Sequence, residues 1–500
     1  MESSIFKPSS MDLIRAGLQD LDKARALFDQ LKADDIPDER CAELLSALAH
    51  ACDPDMALSN FVDIVNAMQS SQRDLEHVIP DNDALKRLVT VLGVSDAMGK
   101  FMRFKPQLVE AAAVATATAI CSITRNAVHV CSRRSARTRT NRPCPSPPRI
   151  CRSGHGPAFQ LPEPTGRHHR PGCRGGRPDL HPTDHQRELS DLADAALEGA
   201  LAIARHETEG SEHVRFTIIG MGKLGAQELN YVSDVDLIYV VEPADKDVDH
   251  QTLIRVGTKM GTMLQRVCQS AIMGVAEQPL WQIDGGLTPG RQGRRAGARA
   301  LLAQELLRAV GRELGVPSAA QGPPGGRRPR PRSGLHGHDP AVRVERIQAQ
   351  ELRLRLPEMR KRVEDLIPAP LKDREIKLGR GGLRDVEFTV QMLQLVHGRT
   401  DESLRTSNTL DSLQRLSEGG YVSRKQAVRM SQDYRFERVM EHRQQIWSLK
   451  RTHLFPDLGR ASVGGLEKKR DIDVDELNQN QELRRLARAF GLHPEELVDK

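Results

Sequence analysis

Aromatic residues are scarce: Phe, Trp and Tyr together make up 3% of 500 residues, with only two Trp and four Tyr. Long apolar runs are missing too. The nearest, Ala111 to Ile123, is rich in Ala and Thr and falls short of the ~18 residues that a membrane-spanning helix needs. The opening MESSIFKPSS has no basic stretch followed by an apolar one, so no secretory signal is visible and a cytoplasmic chain is expected. His181 and His185 have the spacing of half a zinc finger, but no Cys-x-x-Cys precedes them, and no zinc site is expected. A length of 500 residues excludes a disulfide-stapled mini-protein and leaves room for two to four domains.

Lysine is absent from two long stretches in which net positive charge is concentrated. Cys131 to Leu180 holds 11 Arg against two acids, and Gly285 to Glu345 holds 11 Arg against four. These blocks carry +9 and +7, so a total of +6 leaves −10 on the rest of the chain. A groove for nucleic acid mixes Lys and Arg on folded elements, so no nucleic-acid partner is expected. The blocks are also rich in Pro and Gly and have neither helical nor strand periodicity. They read either as disordered insertions or as out-of-frame translation of GC-rich DNA.

What is present outside these blocks is well patterned. Ile14, Leu18, Leu21, Ala24, Phe28 and Leu31 form one apolar helical stripe, broken at Asp35-Ile36-Pro37, and amphipathic stretches follow at Leu44–Ala51 and Leu85–Met98. Order resumes near Arg187, where Leu189, Leu192, Ala196, Leu197 and Leu201 share a face. VRFTIIG and VDLIYVV then read as two buried strands. From Glu351 the chain is mostly helical. One stripe has Val386, Val390, Leu393 and Val396, with Arg384, Glu387, Gln391 and Gln394 expected opposite; another has Phe436, Val439, Met440, Ile446 and Trp447. A last helix around Glu482 to Phe490 is expected to end at Gly491.

The chemistry concentrates in Gly220–Glu242. Gly220, Gly222 and Gly225 match the dinucleotide fingerprint G-x-G-x-x-G after a strand, with Glu242 ending the next strand, which keeps a dinucleotide-binding oxidoreductase open. Against it, only about two helical turns fit before the next strand, and a parallel crossover needs a dozen or more residues. Asp234 and Asp236 also stay unexplained. Two residues apart on a strand, they share a side, and their repulsion is relieved by a divalent cation between them. A glycine turn, a short helix and Asp-x-Asp on a strand form a nucleotidyltransferase site: backbone amides and Lys223 for phosphate oxygens, aspartates for Mg2+. Ser233 precedes the pair, and Asp284 in PLWQID is the candidate third acid.

GKLGAQELNYVSDVDL, and IKLGRGGLRDVEFTVQMLQLVHG at Ile376–Gly398, resemble the signatures of bacterial glutamine synthetase adenylyltransferases. The resemblance covers 11–112, 187–287 and 351–450. It implies an α+β fold: a polymerase-β-like nucleotidyltransferase domain with a small mixed sheet, flanked by mostly α-helical regions. Expected domains are an N-terminal helical region (1–112), an atypical Arg/Pro/Cys-rich segment (113–186), the nucleotidyltransferase domain (187–345, divergent over 285–345) and a helical bundle (346–500). Family members carry two catalytic units, and this chain looks like the N-terminal, adenylyl-removing half. The resemblance implies Asp234 and Asp236 as Mg2+ ligands, Asp284 as third acid, and Gly222, Lys223 and Gly225 as the phosphate cradle. Lys377 and Arg384 would face phosphate or the removed nucleotide. Glutamine synthetase would be the protein substrate, ATP, ADP and phosphate the small ones, with a PII-type signal protein as a further partner and no membrane. In the family Leu-Arg-Pro follows the third acid; here Leu287-Thr288-Pro289 lacks the arginine. A fragment that only binds glutamine synthetase or a PII-type protein therefore stays as an alternative.

Other patterns have plainer readings. Asp471, Asp473, Asp475 and Glu482 fall on EF-hand positions, but Glu476 stands where the loop needs Gly. His397 reads as a packed edge histidine, and Gly379, Gly381 and Gly382, taken alone, as a tight turn.

Overall fold

A computed structural model describes residues 6–72, 75–113, 182–270, 281–284, 319–320, 358, 360–398, 400–458 and 474–500. The first Arg-rich block, all of the second except Ala319 and Ala320, the cysteines from Cys121 to Cys173 and most of the EF-hand-like run lie outside the described residues. The molecule is mostly helical around one small mixed sheet.

The principal N-terminal helices are α1 (Leu21–Ala33), α2 (Asp38–Leu48), α3 (Pro54–Ser70), α4 (Asn82–Val94) and α5 (Asp96–Phe104). Side-chain oxygens of Asp20, Asp53, Asp81 and Ser95 cap four of them by accepting the orphan N–H of the first turn. Their shared core is almost wholly aliphatic, from Leu13 through Leu31, Leu48, Ile64 and Leu88 to Val109, with Phe28 and Phe61 among its few rings. Two expected stripes are each divided. The first breaks at Gly17, which takes φ +85°, so Ile14 belongs to a separate short helix, Ser10–Arg15, and stays 55% exposed. The second breaks at Ser95, which ends α4 and caps α5.

α6 (Pro182–Glu207) starts five residues before Arg187, inside the segment expected to be atypical. β1 (Val214–Gly220), the one-turn α7 (Gly222–Gly225), β2 (Asp234–Pro243), α8 (His250–Gln269) and β3 (Gln282–Asp284) follow. β1 and β2 are antiparallel, β2 and β3 parallel, and a two-residue strand β4 (Ala319–Ala320) lies antiparallel to β1 at Ile218 and Ile219. α6 and α8 cover one sheet face, burying Val214, Phe216, Ile218, Val235 and Leu237. α8 lies close because Gly257 faces Val241 and Gly261 faces Tyr239, where a Cβ would come within 2.9 and 3.2 Å.

The C-terminal part holds α9 (Leu383–His397), α10 (Thr409–Glu418), α11 (Arg424–Ser448) and α12 (Gln481–Phe490). Gly491, at φ +65°, caps α12 as expected. The expected polar side of α9 is not all solvated: Glu387 and Gln394 are buried. Gln394 donates to Leu404 and Thr406 carbonyls and to Ser412 Oγ, so its amide stitches the following loop to α10. His397 stacks on Tyr421 with ring centroids 4.4 Å apart.

Candidate active site

Antiparallel pairing of β1 with β2 removes the dinucleotide reading, since a βαβ crossover joins parallel strands. The chain turns back after one helical turn, and Glu242, noted as ending the second strand of that fingerprint, pairs in register with Arg215 and is exposed. The glycines serve a tight reversal instead. Gly222 takes φ +53°, and a Cβ there would lie 2.5 Å from Asp236 Oδ2. A Cβ on Gly225 would lie 2.5 Å from the Gly220 carbonyl oxygen, and Met221 N–H donates to the Asp236 carbonyl at 2.8 Å. The turn is thus moulded directly onto the strand that carries the two aspartates.

Asp234 and Asp236 alternate with buried Val235 and Leu237, which puts both carboxylates on the sheet face away from α6 and α8. In the β2–β3 register Asp236 pairs with Asp284, so the backbone brings the third expected acid next to the pair. Asp234 Oδ2 accepts from Arg451 Nη1 at 2.8 Å, a cation already drawn to this carboxylate. Ser233 Oγ donates to the Asp234 carbonyl at 2.9 Å and so fixes the strand entry. Two hard carboxylates beside a close-lying glycine turn suit Mg2+ in donor type, and a third acid from position 284 would complete the set.

Lys223 is placed differently from the expectation. Its Nζ lies 3.1 Å from both Oε1 and Oε2 of Glu441, a fully buried carboxylate on α11. Burial and the Arg438 cation lower the Lys223 ammonium to about 7, against the pull of Glu441. Glu441 also receives Arg438 Nη1 at 2.5 Å and has His453 Nδ1 at 2.8 Å. Against its burial, the Lys223 and Arg438 charges and a hydrogen bond with His453 hold its carboxyl well below the usual range.

Lys377 lies in the second motif, where burial lowers its ammonium and neighbouring Glu441 raises it. Arg384 is paired with Glu387 at 3.1 Å, three residues on in α9. The loop before α9 is folded by Asp385, which accepts from Gly381 N–H at 2.7 Å and from the Arg360 guanidinium. Arg360 also donates to the Gly379 carbonyl at 2.7 Å. Gly379 and Gly382 each lie where a Cβ would strike backbone carbonyls, so the motif's glycines build a tight turn.

One set of site residues escaped the sequence reading. Tyr434, Arg438, Glu441 and Gln445 recur at helical spacing on α11, all buried, and form a polar stripe facing the sheet unit. Glu228 accepts from Tyr434 OH at 2.7 Å and from Thr409 N–H at 2.6 Å, while Arg438 donates to the Glu228 carbonyl and to Asn230 Oδ1. Gln445 Oε1 accepts from Val232 N–H at 3.3 Å. Glu228 and Asn230 belong to the signature segment between turn and aspartates, so the whole loop is socketed on α11. The signal in the sequence is the polar 434/438/441/445 spacing, which runs beside the apolar stripe of the same helix.

Comparison with known proteins fits this geometry. The profile described as "Glutamate-ammonia ligase adenylyltransferase" matches residues 180–298, and one described as "GlnD PII-uridylyltransferase" matches residues 351–467. Over its whole length the chain is 72% identical to a bifunctional glutamine synthetase adenylyltransferase/adenylyl-removing enzyme of Bifidobacterium longum strain DJO10A. It is 74% identical to that of strain NCC 2705 over the same extent. The chain belongs to this family. A more distant member, from Cutibacterium acnes, is 36% identical over 97% of the chain. The chain spans about half the length of these relatives, 47% in the Bifidobacterium proteins and 46% in the Cutibacterium one. Among the described residues of this family member, no helix is long and apolar enough to cross a membrane.

Proposed function

We propose that this family member transfers adenylyl groups at a tyrosine of glutamine synthetase, and that its unit performs the phosphorolytic removal that releases ADP. The fold of the unit is then polymerase-β-like. The observation that carries the reading is the register that sets Asp236 beside Asp284 on strands capped by the Gly222–Gly225 turn. In this reading a phosphate oxygen attacks the α-phosphorus of the adenylyl-tyrosine, the phosphorus–tyrosyl oxygen bond breaks, and the tyrosine oxygen leaves with a proton. Phosphate is the nucleophile, so no side chain has to form a covalent bond. Asp234 and Asp236 would hold Mg2+, which when bound neutralises charge in such an in-line displacement. Asp284 would be the third acid, backbone amides of the Gly222–Gly225 turn would face phosphate oxygens, and Ser233 fixes the strand entry. Lys377 and Arg384 would face the phosphate or the nucleotide.

A PII-type signal protein stands as a proposed partner; the profile matching residues 351–467 is described as "GlnD PII-uridylyltransferase". The replacement at Leu287-Thr288-Pro289 supports a second reading, a chain that binds glutamine synthetase without turning it over. One assay separates them: ADP release from adenylylated glutamine synthetase with phosphate and Mg2+. Release by the wild type and its loss in Asp234→Asn, with the fold intact, supports the enzyme. Unchanged release in that variant would overturn the site, and binding without release would support the second reading.

A further inference from the structure

The reaction just proposed gives Lys223 two possible duties, and its surroundings decide between them. Lys223 lies inside the four-residue helix Gly222–Gly225, one residue from the glycine that abuts Asp236. It cannot shift without moving that turn. Its ammonium meets both oxygens of Glu441 at 3.1 Å, and the two side chains are 16% and 0% exposed. The same carboxylate is met by Arg438 from its own helix and by His453 from the segment beyond it. Glu441 therefore joins the glycine turn, α11 and the loop carrying His453 at one buried point. For Lys223 to reach a phosphate, this pair would have to open and leave a buried carboxylate short of a partner. Lys377 is under no such tie: among the described residues no carboxylate lies within ion-pair distance of its ammonium.

We infer that Glu441 and Lys223 form a positioning pair: Glu441 holds Lys223, Lys223 holds the glycine turn, and the turn sets the carboxylate of Asp236 against that of Asp234. Lys223 then does not grip the phosphate, and that duty falls to Lys377. This rests on the functional reading above but makes separate predictions about metal affinity.

The test uses the full chain with Lys223→Met, Lys223→Arg, Glu441→Gln and the double variant Lys223→Met/Glu441→Gln. Mn2+ binding is measured by electron paramagnetic resonance without nucleotide, and kcat and the KM for phosphate are measured in ADP release. Lys223→Met and Glu441→Gln should each weaken Mn2+ binding about tenfold, as loss of a group that orients metal ligands does. Each should lower kcat while the KM for phosphate stays unchanged. The double variant should be no worse than either single one, and Lys223→Arg should restore both readouts because it keeps the charge on Glu441. Thermal melts identify any variant that fails to fold, and Lys223→Arg against Lys223→Met then carries the comparison. A raised KM for phosphate with unchanged Mn2+ affinity in Lys223→Met would overturn the inference, as would single effects that add in the double. Wild-type Mn2+ affinity in Asp234→Asn would overturn the functional reading instead.

Discussion

Two glycines three residues apart should fail in different ways when given a methyl group. At Gly222 the backbone is left-handed, φ +53°, so alanine costs about 1–2 kcal/mol from the conformation alone. The methyl would also lie 2.5 Å from Asp236 Oδ2, the far end of a side chain, which can turn aside. Gly222→Ala should therefore fold, with a melting temperature lowered by roughly 2–8 °C, since each kcal/mol is worth about 2–4 °C in a domain of 150–250 residues. Its site should suffer more. Oδ2 must retreat by about 1 Å to regain van der Waals distance, and misplacements of that size cost around a hundredfold in rate. At Gly225 the methyl would meet the Gly220 carbonyl at 2.5 Å, which is backbone and cannot turn aside. Forcing that approach apart costs about 1–3 kcal/mol of overpacking and displaces α7 from β1. Differential scanning calorimetry, Mn2+ titration and ADP release on both variants check the contrast. If Gly222→Ala binds Mn2+ and turns over like the wild type, Asp236 is not confined by the turn and the reasoning fails.

Burial raises the Glu437 carboxyl to about 8, with Asp433, Asp385 and Glu441 adding to the shift. The folded state then binds more protons than the unfolded one between about pH 4.5 and 8, so this contribution to stability is full below 4.5 and lost as pH rises through 8. Glu437→Gln should flatten the fall in melting temperature over that range, and an unchanged slope would refute the assignment. Tyr434→Phe removes the 2.7 Å donor to Glu228 in a buried site and should cost about 1–3 kcal/mol by urea unfolding. Ser95→Ala should cost about 1–2 kcal/mol, because Ser95 Oγ both accepts from Met98 N–H at the cap of α5 and donates to the Ile446 carbonyl at 2.5 Å. A melt indistinguishable from the wild type would show that neither bond matters.

The two strands were legible because short apolar runs rich in β-branched residues leave few other readings, and VRFTIIG is β1 to the residue. Their mutual direction was not, because a gap of thirteen residues admits either a short crossover or a reversal, and only the pairing distinguishes them. The aspartates were legible as a same-side pair, but the proximity of Asp284 needed the register of β3. α11 was the hardest to read. Its buried face is polar, and a buried Arg438 makes sense only with Asn230, 208 residues away, and Glu441 as partners. Local periodicity reports which face is inside when the inside is apolar. It says nothing when a charge is buried against a charge from a distant segment. The same separation hid the pairing of Arg451 with Asp234, 217 residues apart.

The chain's two ends meet. Arg488, on α12, donates to the carbonyls of Ala49 and Ala51, Arg484 donates to Gln19 Oε1, and Ser95 reaches the backbone of α11. The first helices thus grip the last ones through side chain and backbone contacts that owe nothing to the peptide connection between residues 113 and 182. A polypeptide of residues 1–113 and one of residues 182–500, expressed separately, are expected to co-purify through these contacts.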